Sequence, residues 1–402
     1  MAAPTAGAEN PGSDIAKLYL ARQARLKSVM RAADCPAVLI VDPVNIFYAT
    51  GARNMQLFGM RTPARYLLLF ADGPTILYEY FGCEHLARAL PTIDEIRPAE
   101  GLCHISSGGD VGAASKRVAD EIHAVVWSVS PGLDKLAIDR FPFALVDALR
   151  HRGFHLSDAD PVFSTARSIK MAIELPYMRE AVSRVELAVE GLVERIEPGR
   201  TESETWAEFH RGLIASEGQY LSTRLFQSGE RTFPYFQECG ARVLQSGDLV
   251  CLDTDALGYE GYAVDFSRTF LCGDGKPTAE QRHLYSLARE QLEENAQILK
   301  PGIAFEEMAE LAWQVPEEHQ DSRYYCIGHG LGMSGEFPNI PHRRNDGPYP
   351  LDGHVMPGMV ICLESYIGSK KTGQGVKLEN QFLVLEDGAE SMSTFQFDQR
   401  FE

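Results

Sequence analysis

The spacing of apolar positions changes near residue 167, and the elements it predicts change with it. Before that point, short β-branched or aromatic runs at 37–41, 66–70, 75–80 and 135–138 predict strands. Asp42-Pro43 interrupts the first run, and Asp72-Gly73-Pro74 supplies a turn between the second and third. Residues 84–89, 115–128 and 143–152 predict helices. Strands alternating with helices predict an α/β unit over 15–163, preceded by a loose tail at 1–14. No cluster of reactive side chains assembles there, so packing, contacts with a second copy and cover for a site elsewhere are its expected work.

Beyond residue 167 the pattern becomes helical. Met178, Val182, Val185, Val189, Leu192, Val193 and Ile196 follow the helical period, which predicts a long amphipathic helix over 176–196. Glu197-Pro198-Gly199 stops it, and a shorter helix is predicted over 202–214. The same order returns as a long helix at 279–299, a stop at Lys300-Pro301-Gly302 and a restart at 305–315. Strand-like runs follow each copy. A repeat at a spacing of about a hundred residues predicts an internal duplication over 164–402, with a cleft where the strands of its two α/β halves converge.

Four segments of this region carry chemistry. Leu249 through Asp255 is an apolar run ending in two carboxylates, Asp253 and Asp255, that alternate to one face. Gly261 through Phe270 contains Asp265, and Gly258 and Gly261 suit a hairpin joining it to the first run. Gly328-His329-Gly330-Leu331-Gly332 predicts a glycine-rich loop holding one histidine. Two further strand-like runs, 360–364 and 376–384, carry Glu364 and Glu379. A carboxylate inside an apolar strand is costly unless paired, protonated or bound to metal. Lys377 can pair with one of them, but the alternation is expected to set it on the side opposite Glu379. Five carboxylates and one imidazole sum to a charge of about −5, which two divalent cations nearly neutralise. That donor set suits Fe, Mn, Co or Zn.

Composition narrows the alternatives. The chain is 45% hydrophobic and 23% charged, which excludes a largely disordered protein. Its net charge of −18 makes nucleic acid and anionic membrane surfaces poor partners. No apolar run approaches the ~20 residues of a membrane helix, and the first residues lack the basic-then-apolar order of a secretion signal. The eight cysteines form no CxxC, and Cys251, Cys326 and Cys362 sit in apolar runs. Reduced thiols in a cytoplasmic protein are expected.

These segments resemble the M24 metallopeptidase-like, or pita-bread, superfamily, which includes aminopeptidase P, prolidase, methionine aminopeptidase and creatinase. Residues 42–51 resemble the creatinase-type N-terminal domain, and Arg167-Ser168-Ile169-Lys170 with Glu174 resembles the entry to the catalytic domain. The resemblance implies a creatinase-like α/β domain followed by a pita-bread catalytic domain, a duplicated α/β fold with an antiparallel sheet. It implies Asp265, His329, Glu364 and Glu379 as metal ligands, with Asp253 or Asp255 as the fifth. Within the superfamily, Asp253-Thr254-Asp255, residues 228–239 and residues 276–282 are similar to the dimethylsulfoniopropionate lyases. There all six side chains would hold a metal pair, usually iron. A homodimer is implied as well.

The departures from the family matter equally. Its peptidases carry two further histidines, one before the first ligand strand and one seven residues after the metal histidine. Here residues 233–247 contain no histidine, and Glu336 stands at the second position. Without those imidazoles, protonating a leaving amine and stabilising an oxyanion lack their usual groups. The lyase pattern has an aspartate where Gly335 stands, which leaves Glu336, Tyr324 or a metal-activated water to act as base. Phe233, Tyr235, Phe236, Tyr262, Tyr324 and Phe337 flank the ligand segments and suggest a cation–π cage for an onium substrate. Expected activities are thus a C–S lyase acting on a sulfonium or betaine-like small molecule, a hydrolase of a small C–N compound such as an amide, or a partner-binding protein that has lost catalysis.

Overall fold

The protein was described from a computed structural model covering residues 14–342 and 352–402. The chain divides into two compact units, with the division between Ala166 and Arg167. The expected tail lies outside the described residues except for Asp14, which opens a helix that the apolar spacing does not announce.

The first unit contains α1 (Asp14–Ala32), β1 (Ala37–Ile40), α2 (Pro43–Thr50), α3 (Gln56–Gly59), β2 (Tyr66–Phe70), β3 (Thr75–Glu79), β4 (Glu95–Pro98), α4 (Val111–Val129), β5 (Lys135–Ile138), α5 (Phe143–His151) and β6 (His155–Asp158). Its strands form one mixed sheet in the order β4-β3-β2-β1-β5-β6. Asp42-Pro43 ends β1 and starts α2 at once: the Asp42 carboxylate accepts from the Val44 and Asn45 amides, and Pro43 occupies the first turn, where no amide hydrogen is needed. Residues 84–89 make only a short 3₁₀ turn, Glu84–Leu86, rather than the expected helix. Val118, Ile122, Val125 and Val126 of α4 pack with Leu39, Leu68 and Tyr78 of the sheet in one core.

The chain passes through α6 (Asp160–Ser168) into the second unit. There α7 (Leu175–Val193) and α8 (Glu202–Ala215) precede β7 (Tyr220–Leu221), β8 (Phe226–Ser228), β9 (Leu249–Asp253), β10 (Ala256–Leu257), β11 (Ala263–Val264) and β12 (Ser267–Leu271). Next come α9 (Ala279–Ile298), α10 (Phe305–Leu311), β13 (Cys326–Leu331), β14 (Gly335–Pro341), β15 (Val360–Ser369), β16 (Gln374–Val384) and β17 (Ala389–Ser391). The sheets are β11-β10-β7, β12-β9-β8 and β14-β13-β15-β16-β17, and every pairing within them is antiparallel. α10 stops at Leu311, short of the expected 315.

The duplication is legible in individual hydrogen bonds. After α7, the Gly199 amide donates to Leu244, the Leu244 amide to Arg200, and the Glu202 amide to Arg242. After α9, the Gly302 amide donates to Val355, the Val355 amide to Ile303, and the Phe305 amide to Gly353. Gly199 and Gly302 both take a positive φ, 98° and 88°, which explains why a glycine follows each proline. The central core of the unit sets Leu284, Ala288 and Leu292 of α9 against Ile361, Leu363, Ile367, Val376 and Leu378. That packing fixes β15 and β16, the two strands that carry glutamates.

One expectation needs correction. The glycine-rich segment around His329 is not a loop but the strand β13. A Cβ at Gly328 would collide with the Cys362 carbonyl, and one at Gly330 with the Phe337 carbonyl. The glycines therefore let the histidine strand press closely between β15 and β14.

Candidate metal centre

Four strands bring the acidic side chains together. β9 ends on Asp253, opposite Ser267 of β12. Asp255 follows at a φ of 39°, where the chain turns out of β9. Asp265 immediately precedes β12. His329 lies across from Asn339 of β14 and Cys362 of β15, and Glu364 pairs directly with Glu379 between β15 and β16.

The distances describe one site. His329 Nε2 lies 3.3 Å from Glu364 Oε1, 3.7 Å from Asp265 Oδ2 and 3.9 Å from Glu379 Oε1. Its Nδ1 is 3.1 Å from the Gly330 carbonyl, which can only accept. That bond fixes a proton on Nδ1, so Nε2, which faces the carboxylates, presents a lone pair to a metal once its own proton is lost. Asp253, Asp255, Asp265, His329, Glu364, Tyr324 and Glu336 line one cavity of about 370 Å³, and Glu379 lies beneath it, fully buried.

The residues present fit bound cations. Asp253 Oδ1, Asp265 Oδ1 and Glu379 Oε1 are buried and have no hydrogen-bond donor. Buried carboxylate oxygens without donors carry a full desolvation penalty that a metal ion removes. Asp265, His329, Cys362 and Glu379 each offer a ligand atom within 4.8 Å of the others. Cys362 is the softest of these; burial and the Asp265 carboxylate push its thiol well up, and it donates to the Asp265 carbonyl. Among the described cysteines none forms a disulfide.

Lys377 is the feature that strand reasoning misplaced. Its ammonium lies 2.5 Å from Glu364 Oε2, 2.8 Å from Glu379 Oε2 and 3.5 Å from Asp253 Oδ2, and it donates to Ser267 Oγ at 2.7 Å. Residues two apart on a strand share a face, so Lys377 and Glu379 point the same way. With five carboxylates and two divalent cations, Lys377 supplies the one positive charge still needed for neutrality.

Burial and mutual repulsion shape the acidities. Burial, then the charge of Glu379, raises Asp265 well above the usual carboxylate range. Burial and Asp253 push Asp255 up to about 7, although Thr223 donates to it at 2.5 Å. Burial and Glu364 push Glu379 up to about 8. Burial would raise Asp253 too, but Lys377 and the Tyr235 hydroxyl, 2.7 Å away, hold it low. Burial pulls His329 down, and the hydrogen bond and charge of Glu364 outweigh it, lifting the imidazole to about 9.

These directions set a pH dependence. Groups with raised values keep their protons near neutrality, and a metal accepts them only deprotonated. Metal affinity is therefore expected to rise with pH over roughly pH 6 to 9 and to level off above it. Calorimetric titration at pH 7 in two buffers of different ionisation heat is expected to report net proton release. Proton uptake would reverse the assigned directions.

Glu336 is held differently from a free base. Its carboxylate lies 3.0 Å from Lys170 Nζ and 3.2 Å from Arg167 Nε, and it accepts from the Met333 amide at 3.0 Å. These three partners tie it to Met333 and to the segment at 167–170. At neighbouring Gly335, nothing lies within 4 Å of where a Cβ would stand.

The aromatic residues divide into two groups. Tyr235, Phe236, Tyr324 and Tyr325 cluster at ring-centroid distances of 4.8 to 6.3 Å. Tyr324 and Tyr325 face the cavity. Lys377 Nζ lies 4.7 Å from the Tyr324 ring centroid. The other expected cage members serve elsewhere: Tyr262 donates to Glu174 at 3.0 Å, Phe337 packs edge-on against Phe305, and Phe233 lies over Gly368. Thr223, and Lys170 as a partner of Glu336, carry no signal in sequence that ties them to the site, whereas Lys377 does, by its place two residues before Glu379.

The Metallopeptidase family M24 model matches residues 176–386, and the Creatinase/Prolidase N-terminal domain model matches residues 22–169. The chain belongs to metallopeptidase family M24. Members of this family are dinuclear metalloenzymes, and the acidic cluster described above lies within the matched M24 residues. The chain is 33% identical to the dimethylsulfoniopropionate lyase DddP of Roseovarius nubinhibens over 98% of its own length and 89% of the lyase. It is 29% identical to the Xaa-Pro dipeptidase of Pyrococcus furiosus over 58% of its length and 65% of that enzyme. In fold it matches the prolidase of Pyrococcus horikoshii at a TM-score of 0.74 and 20% identity, over 94% of this chain and 99% of that one. The M24 pita-bread domain and the creatinase-type N-terminal domain are thus both present. Among the described residues, no helix is long and apolar enough to cross a membrane.

Proposed function

We propose that this M24 protein is a C–S lyase that cleaves dimethylsulfoniopropionate to dimethyl sulfide and acrylate, using two metal ions held by Asp253, Asp255, Asp265, His329, Glu364 and Glu379. The observation that carries the reading is the pairing of a carboxylate-rich centre with an aromatic wall, Tyr324 and Tyr325, across one small cavity. A substrate with a carboxylate at one end and a sulfonium at the other matches those two surfaces. Near full-length identity of 33% to DddP supports it.

The bound ions would supply positive charge that holds the substrate carboxylate and acidifies the adjacent C–H bond. β-Elimination then needs one proton acceptor. The α-proton leaves, its electron pair forms the carbon–carbon double bond, and the C–S bond breaks to release dimethyl sulfide. Tyr324 is the acceptor we assign. Burial, then the charge of Glu364, raises its phenol far above the ordinary value, so ionisation depends on neighbouring cations, of which Lys377 is one. Glu336, engaged by Lys170 and Arg167, anchors the cavity edge. The resemblance to the dimethylsulfoniopropionate lyases points to iron, the donor set suits Mn, Co or Zn as well, and a cytoplasmic homodimer completes the reading.

The competing reading, a hydrolase of a small C–N substrate, draws on the 29% identity to an Xaa-Pro dipeptidase. Headspace analysis of the purified protein with dimethylsulfoniopropionate separates the two. Dimethyl sulfide in equal yield with acrylate is expected, with no release of proline from Xaa-Pro dipeptides. Tyr324→Phe is expected to lower lyase turnover by about 10²-fold to 10⁴-fold while metal content stays unchanged. Proline release without sulfide would replace the lyase by the hydrolase.

A further inference from the structure

A second group of ligand-type side chains lies away from the acidic centre. His283 of α9, Glu318 and His319 each offer one ligand atom, and these atoms lie within 4.8 Å of one another. Glu318 and His319 belong to the 3₁₀ turn Glu317–Ser322. His283 and Glu318 are exposed, whereas His319 is only 4% exposed.

The buried histidine gives the cluster direction. His319 Nδ1 lies 2.8 Å from the Gly368 carbonyl at the end of β15, which also accepts from Ser322 Oγ at 2.8 Å. A carbonyl only accepts, so Nδ1 carries the proton and Nε2 presents its lone pair. That Nε2 is buried and has no hydrogen-bond partner. Glu318 Oε1, the nearest carboxylate oxygen, stands 3.8 Å away, beyond hydrogen-bond distance. A buried nitrogen that faces a carboxylate and a second imidazole, with its opposite nitrogen fixed on a backbone carbonyl, has the arrangement of a metal-ligating histidine.

We propose that His283, Glu318 and His319 form an accessory site for one divalent ion of the zinc class. Two imidazoles and one carboxylate are a zinc donor set, and a fourth position remains for water. Tetrahedral ligand atoms sit about 3.3–3.6 Å apart when bonds are ~2.0–2.2 Å long. Rotation of the exposed His283 and Glu318 side chains would bring the three atoms, now within 4.8 Å of one another, to that spacing. The ion would tie α9 to a turn that ends two residues before Tyr324 and three before Tyr325, so it would brace the aromatic wall of the cavity. This site does not depend on which reaction the chain performs.

The test uses the full chain with its acidic centre already loaded. Protein is equilibrated with micromolar zinc chloride, gel-filtered and analysed for metal, alongside the double variant His283→Ala, Glu318→Gln. Both substituted side chains are exposed, so the variant is expected to fold and to keep its basal activity in the absence of zinc. The wild-type chain is expected to retain one zinc more than the variant, and zinc is expected to slow amide exchange over residues 317–325 in the wild type alone. Equal zinc content in the two proteins, or uptake that requires millimolar zinc, overturns the proposal.

Discussion

Asp265→Ala is expected to lower turnover more than about 100-fold and to leave the chain folded with less than its full complement of metal. Removing a partner of a metal ligand typically costs ~10–100-fold in affinity or activity, so loss of a ligand itself sets a larger effect. The stability change carries the sharper test. Asp265 is buried and repelled by Glu379, Asp255, Asp253 and Glu364, a cost that a bound cation or its own protonation offsets. In the chelator-stripped protein, alanine removes the repulsion, and the melting temperature is expected to rise. In the metal-loaded protein it removes a ligand, and the melting temperature is expected to fall. Thermal unfolding with and without chelator, together with elemental analysis, reads both signs. An alanine variant that keeps its metal and loses stability in both states would remove Asp265 from the centre.

Lys377→Met is expected to behave in the opposite sense. The ammonium is fully buried and touches Glu364, Glu379 and Ser267, with Asp253 just beyond. Burial disfavours its charge, yet the three carboxylates raise the group well above the usual lysine value. Breaking a buried ion pair by deleting one partner costs about 3–5 kcal/mol, because the remaining charge is left uncompensated. The stripped variant is expected to lose about that much in denaturant unfolding, and saturating metal is expected to recover part of the loss. Equal destabilisation in both states would mean that Lys377 and the metals do not share the same carboxylates.

Much of this site could be read before any coordinates. Glu364 and Glu379 announce themselves because a carboxylate within an apolar strand has few inexpensive environments. Asp253 and Asp265 stand at the edges of runs whose pairing the intervening glycines suggest, and the register sets Asp253 opposite Ser267. The two long helices and their Pro-Gly stops follow directly from the helical period. The glycines around His329 suggest a loop, whereas in the fold their small size permits close strand approach. α1 leaves a broken apolar period for a related reason. Arg22 is buried in the middle of its inward face, over the rings of Phe47 and Tyr48, and a charge there breaks the apolar period. The partners of Asp253 and Asp255 leave no local pattern at all, since Tyr235 and Thr223 reach them from another part of the chain.

The two glycines flanking His329 and the one at 335 impose opposite limits on how this enzyme could diversify. Positions 328 and 330 admit no larger residue without parting three strands, so natural drift and laboratory selection alike are barred from adjusting the imidazole through its neighbours. Position 335 borders the same cavity and opens onto free space. A side chain can start there without displacing a neighbour, which makes it the natural first position for a mutant library seeking new substrates.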